Sequence, residues 1–353
     1  MDEQRTSVLI SGLPGKMATL FAETALEAGL AVYKDALTGE GQPRIVEIAG
    51  RKINLLSPAE HEDFLVAVSS SALKQLPIIV DFSKGAVNRN AELYCKYRIP
   101  FVMGATGGDG TALERIVVES GNVAVVAPNM ALPIVAFQEF MDNFSRRYEG
   151  QMNGYTLKVR ESHQKTKPDA SGTAKAFLRY FQRLGIELDT ALVDKLKMEN
   201  PVDIMLPLEG DSTFTVIRDP RTQRGSLGVP EEFLSGHGWH TYNLSLPDSP
   251  KVSTLPLASL RSELREFLER KVFAGYDSVS GPPFWKRVSS DGNVVVGLHD
   301  IGTFEAALFH NINGRQVYAD GGISLVGFLS RHRGEKGRVY TAIDVLNNLG
   351  KNN

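Results

Sequence analysis

The order of short apolar runs in the first third of the chain constrains its fold more than any other feature. Val8-Leu9-Ile10 stops at Ser11-Gly12-Leu13-Pro14-Gly15-Lys16. Met17, Leu20, Phe21, Ala25 and Ala28 then recur at helical spacing, Gly29 ends that run, and Leu30 to Tyr33 begins a second strand. Strand, glycine turn, helix, strand is the βαβ unit of a mostly parallel sheet. Three more strands follow, Ile78-Ile79-Val80, Phe101-Val102-Met103 and Val123 to Val126, running into Asp81-Phe82-Ser83, Gly104-Ala105-Thr106-Gly107-Gly108 and Ala127-Pro128-Asn129. Open α/β sheets bind ligands at the carboxyl ends of their strands, so these loops are the expected rim of a binding crevice.

The turn Gly12 to Gly15 has two glycines where a dinucleotide fingerprint usually has three, and Ala18 supplies a further small residue. Its position matters more than its composition: it opens a helix whose N–H groups and dipole favour a pyrophosphate. A tight turn needing only flexible backbone is the alternative. Lys34 and Asp35 stand at the expected end of the second strand, where an acid selects a ribose hydroxyl and a base accommodates a 2′-phosphate. With both present the sequence does not choose between NADH and NADPH; Lys16, a second cation, tilts the reading toward NADPH.

A change of pattern marks a second domain. After a helix carrying Ile134, Phe137, Phe140, Met141 and Phe144, and a turn at Gly150 to Gly154, Tyr155, Leu157 and Val159 alternate with Thr156, Lys158 and Arg160. Similar alternation is read at Val317-Tyr318-Ala319, while Ile323, Val326 and Leu329 at helical spacing are expected to pack back on the first domain. Residues 250–298, rich in Ser and Pro, with a charged stretch from Arg261 to Lys271 and then Gly281-Pro282-Pro283, read as a surface insertion. At 353 residues, 42% of them hydrophobic, the chain can bury a core in each domain.

Charge and cysteine usage exclude other classes. With 39 basic against 41 acidic residues there is no excess to meet a run of phosphates, so no nucleic-acid partner is expected. The single cysteine, Cys95, reads as core filling and excludes an internal disulfide framework or cysteine-built zinc site. No apolar run approaches a bilayer span and no signal peptide is seen, so no membrane partner is expected and the chain reads as cytoplasmic, or plastid if a leader has been cleaved.

The segment Glu161-Ser162-His163-Gln164-Lys165-Thr166-Lys167-Pro168-Asp169-Ala170-Ser171-Gly172-Thr173-Ala174 is the richest in chemistry. Phe177, Leu178, Phe181 and Leu184 mark the buried face of the helix that follows, Gly185 ends it, and Ser171 or Asp169 stands at its N-cap. A helix N-terminus preceded by lysines and a histidine can receive carboxylates; a well-capped helix after a solvated basic loop is the plainer reading. His237 and His240 are separated by two residues, and on a strand they point to opposite faces, so no metal site is expected there. His310, beside Asn311, is expected to make a structural hydrogen bond. Trp239 and Trp285 have no pattern around them.

This segment resembles the signature of dihydrodipicolinate reductases, Glu-x-His-His-x-x-Lys-x-Asp-Ala-Pro-Ser-Gly-Thr-Ala. Val8 to Met17 resembles the family's glycine turn, Asp81-Phe82-Ser83 its Asp-Phe-Thr, Gly104 to Gly108 its Gly-Thr-Thr-Gly, and Ala127 to Met130 its Ala-Pro-Asn-Phe. Pro230-Glu231-Glu232, Ser235-Gly236-His237 and Gly314-Arg315 to Gly321 are similar to the plant-type branch. Gln164 replaces the second histidine, and the proline before Ser-Gly-Thr is absent; the plant-type branch shares both departures.

The resemblance implies an α/β chain: a Rossmann-type dinucleotide-binding domain, 1–130 plus 317–353, and a second α+β domain on an open mixed sheet, 131–316, which binds substrate and forms a homo-oligomer, dimer or tetramer. It implies NAD(P)H-dependent reduction of a small cyclic dicarboxylate, dihydrodipicolinate or its hydrated precursor, on the diaminopimelate route to lysine. In that reading His163 supplies or orients a proton and Lys167 holds a carboxylate, with Gln164, Ser171, Gly172 and Thr173 completing the substrate site. Gly12, Gly15, Lys16, Met17, Lys34, Phe82, Gly104, Thr106 and Asn129 contact the dinucleotide. A related reductase of another small carboxylate, or a non-catalytic dinucleotide-binding protein, are the alternatives.

Overall fold

The computed structural model describes residues 5–72, 75–199, 201–245, 294–300 and 304–349, with 294–300, 304 and 305 as backbone. The chain divides into two compact units, Met1–Val135 with Arg315–Asn353, and Ala136–Gly314.

The first unit is built on β1 (Ser7–Ser11), β2 (Ala31–Val32), β3 (Asp35–Leu37), β4 (Ile45–Ile48), β5 (Arg51–Leu56), β6 (Ile78–Asp81), β7 (Phe101–Met103), β8 (Val123–Val126) and β15 (Arg338–Thr341), in the order β15-β8-β7-β6-β1-β3-β5-β4 with β2 also on β1. Only β4 and β5 pair antiparallel. Strands β6 and β7 are buried at every residue, which is why they read as unbroken apolar runs: helices cover both faces of the sheet. On one side, α1 (Lys16–Glu27) buries Ala18, Phe21, Ala22 and Ala25 with Val8 and Ile10. On the other, α3 (Val87–Lys96) and α4 (Gly110–Ser120) bury Ala91, Tyr94, Leu113 and Val117 around Leu9 and Ile79, and Cys95 fills the same core.

Two local expectations are corrected. The stretch Val317-Tyr318-Ala319 is not a strand but the first turn of a helix, Gln316–His332, which buries Leu325, Val326, Phe328 and Leu329 with Val8 and Ile10; three residues are too few to separate a period of two from one of 3.6. A Cβ on Gly321 would sit 1.7 Å from the Met130 carbonyl oxygen, so this helix needs glycine to approach that segment. The second strand is also longer than read, broken at Tyr33-Lys34 and resumed in β3, where Leu37 pairs with Ser11. Its carboxyl end is therefore Leu37, not Lys34.

The second unit has a mixed sheet, order β10-β11-β9-β12-β14-β13, from β9 (Thr156–His163), β10 (Ile204–Pro207), β11 (Thr213–Ile217), β12 (His237–Ser245), β13 (Val294–Asp300) and β14 (Phe304–Asn313). β9 runs parallel to β11 and antiparallel to β12. Leu157, Val159, Phe214, Tyr242 and Leu244 face Phe177 and Phe181 of α6 (Gly172–Arg183), and Phe177 stacks on Tyr242 with centroids 4.6 Å apart. Register places Glu161 opposite His240 and His240 opposite His310. Of the stretch read as a surface insertion, 250–293, including Arg261 to Lys271 and Trp285, lies outside the described residues, and Val294 to Leu298 form part of β13.

Candidate active site

The crevice of the first unit is assembled from backbone. Asp81, fully buried, accepts hydrogen bonds from the Ser83 N–H (2.7 Å), Asn90 Nδ2 (2.8 Å) and the Tyr94 hydroxyl (2.7 Å), which fixes the loop after β6. Gly12 presses against that loop with φ +105°; a Cβ there would lie 2.9 Å from Phe82 C and Ser83 N, so no side chain is accommodated. Gly15 is the N-cap of α1 without a side-chain cap, which leaves the first N–H groups of the helix available.

A cavity of about 720 Å³ opens over these groups, within the usual range for ligand pockets. Gly12, Gly15 and Phe82 line it, together with Thr38, Lys84 and Arg89. Lys16, Met17, Gly104, Thr106 and Asn129 do not. Gly104 N–H donates to the Asp81 carbonyl (2.9 Å), Thr106 is exposed, and Asn129 Oδ1 accepts from the Ala131 N–H (3.0 Å). Lys34 is exposed and outside the cavity, because the strand continues past it; Thr38 stands at the strand end in its place.

The centre of the second unit is made of buried side chains. Glu161, fully buried, accepts from Arg218 Nη2 at Oε1 (3.0 Å) and from the Ser171 N–H at Oε2 (3.0 Å). Arg218, equally buried, also donates to the carbonyls of Asp169 (3.0 Å) and Lys167 (3.1 Å), so one guanidinium pins the loop between β9 and α6. Burial alone would raise the Glu161 carboxyl, but the His240 and His163 rings beside it and the Arg218 guanidinium hold it well below the usual carboxylate range.

His163 Nδ1 lies 3.0 Å from the His237 carbonyl, which can only accept, so Nδ1 carries the proton. Its Nε2 has no hydrogen-bond partner among the described residues and stands 3.8 Å from Glu161 Oε2. Burial, reinforced by His240 and opposed by Glu161, lowers the ring to about 3. Gln223, also buried, donates to the His163 carbonyl (2.7 Å). Lys167 Nζ pairs with Asp169 at 2.5 Å.

Ser171 is the N-cap of α6, accepting from the Ala174 N–H (3.0 Å). Its hydroxyl also bonds His240 Nε2 (2.9 Å) and its N–H serves Glu161, so this residue is committed inward. The N–H groups of Gly172 and Thr173 and the Thr173 hydroxyl remain without partners among the described residues. Gln164 contributes its carbonyl to the turn, accepting from the Lys167 N–H (2.9 Å).

The structure thus joins Glu161, Arg218, Gln223, His240 and His310 to the residues singled out in the sequence. His237 and His240 do point apart: His237 bonds Ser162 Oγ (2.8 Å), and His240 turns to Glu161. His310 is a correction, since neither ring nitrogen has a hydrogen-bond partner among the described residues; instead the ring stacks on His240 at 4.4 Å. Ligand atoms of Glu161, His163 and His240 lie within 4.8 Å of one another, a spacing that suits a metal. Arg218 on the same carboxylate, and the Ser171 hydroxyl on His240 Nε2, oppose a resident cation there.

Residues 6–130 match the family described as dihydrodipicolinate reductase, N-terminus. The chloroplastic 4-hydroxy-tetrahydrodipicolinate reductase 2 of Arabidopsis thaliana is 35% identical over 347 residues, 96% of this chain and 77% of that protein. The chain belongs to the dihydrodipicolinate reductase family. The probable chloroplastic reductase 2 of Oryza sativa subsp. japonica agrees, at 32% identity over 345 residues, 96% of this chain and 82% of the relative. Among solved structures, the dipicolinate-bound dihydrodipicolinate reductase from Paenisporosarcina sp. TG-14 shares the fold, with a TM-score of 0.52 at 14% identity, covering 97% of this chain and 99% of that one.

Proposed function

We infer that the protein is an NAD(P)H-dependent oxidoreductase that reduces 4-hydroxy-tetrahydrodipicolinate, or the dihydrodipicolinate left after loss of water, to tetrahydrodipicolinate in the diaminopimelate route to lysine. Near-full-length likeness to the plant reductases supports this. The observation that carries it at the level of the site is the loop from His163 to Thr173, where a lysine, a histidine and an uncapped pair of helix N–H groups gather beside one buried ion pair.

The nicotinamide supplies the hydride; the residues of this chain bind the dicarboxylate and deliver a proton. Lys167, exchanging Asp169 for the ligand, holds one carboxylate, and the N–H groups of Gly172 and Thr173 hold a carboxylate at the positive end of α6. Ser171 acts through its inward bonds. Gln164 supplies a neutral hydrogen bond. His163 is neutral at rest; a dianion at Lys167 favours a proton on Nε2, the nitrogen free to give it away.

For the dinucleotide, the glycine cradle at Gly12 and Gly15 fits a pyrophosphate, Lys16 and Met17 carry N–H groups of the first helical turn, and Gly104, Thr106 and Asn129 complete the rim. NADPH is the preferred form: Lys84 and Arg89 line the cavity, neither makes an ion pair among the described residues, and Thr38 rather than an acid follows β3. Lys34 is replaced in this role by Lys84 and Arg89. Assembly as a homo-oligomer through the second unit's sheet fits the exposed Val202 and Met205 at its β10 edge, and sedimentation decides dimer against tetramer. The relatives are named chloroplastic; import of the full-length precursor into isolated plastids distinguishes plastid from cytosol.

The test is NADPH oxidation in a coupled assay in which dihydrodipicolinate synthase forms the unstable substrate in place. Oxidation that requires the synthase is expected. Tight dinucleotide binding with no turnover would instead favour a non-catalytic protein.

A further inference from the structure

Four titratable side chains meet on one buried face of the second sheet. Glu161 and His163 come from β9, His240 from β12 and His310 from β14, and the Tyr242 hydroxyl lies on the same strand face two residues beyond His240. Arg218, after β11, and Lys167, in the loop, are the cations felt there; Ser171 faces the group from α6, and Phe137 closes it with its ring 5.9 Å from His310. A buried polar atom without a partner is costly, because it has given up its bonds to water. Yet His163 Nε2, His240 Nδ1, both nitrogens of His310 and the Tyr242 hydroxyl have none among the described residues. A cluster made only for packing would use apolar side chains here.

The geometry centres on a single oxygen. Glu161 Oε2 is 3.8 Å from His163 Nε2 and 3.6 Å from His240 Nε2, and the two rings meet edge to face at 5.1 Å. Glu161 and Arg218 cancel, so with neutral rings the cluster has no net charge to answer a dianionic ligand. Two imidazole nitrogens face this one carboxylate oxygen, so a proton on either ring is answered by the same negative charge.

We propose that His240 is a positioning residue for proton delivery: one proton, shared by His163 and His240 across Glu161, is taken up as the dicarboxylate binds and is passed from His163 Nε2 to the substrate carbon. The balance is simple. The substrate gains a hydride from the nicotinamide and this proton, NAD(P)H becomes NAD(P)⁺, and the cluster returns to its neutral state as product leaves. The inference rests on the reductase reading given above. It adds a buried residue that touches His163 edge to face and shares the Glu161 carboxylate with it.

Two measurements on the full chain test it. Dipicolinate binding in the presence of NADPH, followed by calorimetry in buffers of different ionisation heat, is expected to be accompanied by proton uptake that grows as pH falls from 8 to 6. In His240→Gln, the alkaline limb of the kcat profile, which reports the substrate complex that holds the shared proton, is expected to move to lower pH by at least one unit, with kcat down about tenfold and KM little changed, because one of two places for the proton is gone. A merely structural role would lower the folded fraction without moving the limb. Zero proton uptake, a limb that stays in place in folded His240→Gln, or stoichiometric metal held by the cluster would each overturn the proposal. Wild-type turnover in the coupled assay with an unmoved limb fails this inference alone; absence of turnover fails the reductase reading.

Discussion

The crevice of the first unit and the cluster of the second are built by opposite means. Around Gly12 the protein offers main chain: two glycines, an uncapped helix start, and a loop locked by Asp81. Around Glu161 it offers side chains from three strands, Glu161, His240 and His310 buried and His163 mostly so, beside a loop held by one guanidinium. A backbone site depends on local geometry and is spoiled by adding atoms. A side-chain site depends on compensated charge and is spoiled by removing atoms.

The largest effect that could break this contrast is on stability. Glu161→Ala leaves Arg218 buried without its carboxylate and is expected to cost about 3–5 kcal/mol in urea unfolding. A loss below about 1 kcal/mol would mean the ion pair does not organise the second unit.

Acidification comes next. His163 and His237 are lowered to about 3 and about 4, burial being the main cause for each, so the unfolded chain binds their protons more tightly than the folded one. Their contribution is therefore complete above their ordinary pKa of 6.5 and falls as pH drops toward the folded values, by about 2 kcal/mol each at pH 5. Hydrogen exchange between pH 7 and 5 should show β9 and β12 losing protection before β1 and β6; the reverse order would contradict the placement of the titratable groups.

Smaller effects sharpen the first unit's side. Gly12→Ala should weaken NADPH binding at least tenfold in a fluorescence titration, about 1.4 kcal/mol, while the unfolding of the second unit stays unchanged. Arg89→Ala should lower the NADPH-to-NADH preference about tenfold with little change in turnover on NADH, if a positive side chain rather than backbone reads the 2′-phosphate.

The same contrast explains what could be read from residues alone. The glycine turn, the carboxyl ends of β6, β7 and β8, and a helix cap at Ser171 or Asp169 are local, written within a few neighbouring residues, and they are legible in the sequence. The end of the second strand was missed because Tyr33-Lys34 interrupts it and no residue signals that pairing resumes at Asp35. Glu161 stood in view but without a partner, since Arg218 lies 57 residues away. Nothing in the spacing of His240 and His310 announces that they stack, because strand register decides that, and a slip of one residue would turn both to the other face. Equal spacing by two from Glu161 to His163 was the one local clue that both share a face.

The most direct test of the central claim, that the loop held by Glu161 and Arg218 is where the dicarboxylate is bound and reduced, is Lys167→Ala in the synthase-coupled assay with NADPH affinity measured in parallel. The account predicts kcat/KM lower by about a hundredfold or more with NADPH binding unchanged, since one charged contact to the substrate is lost. Near-normal turnover in that variant would contradict it.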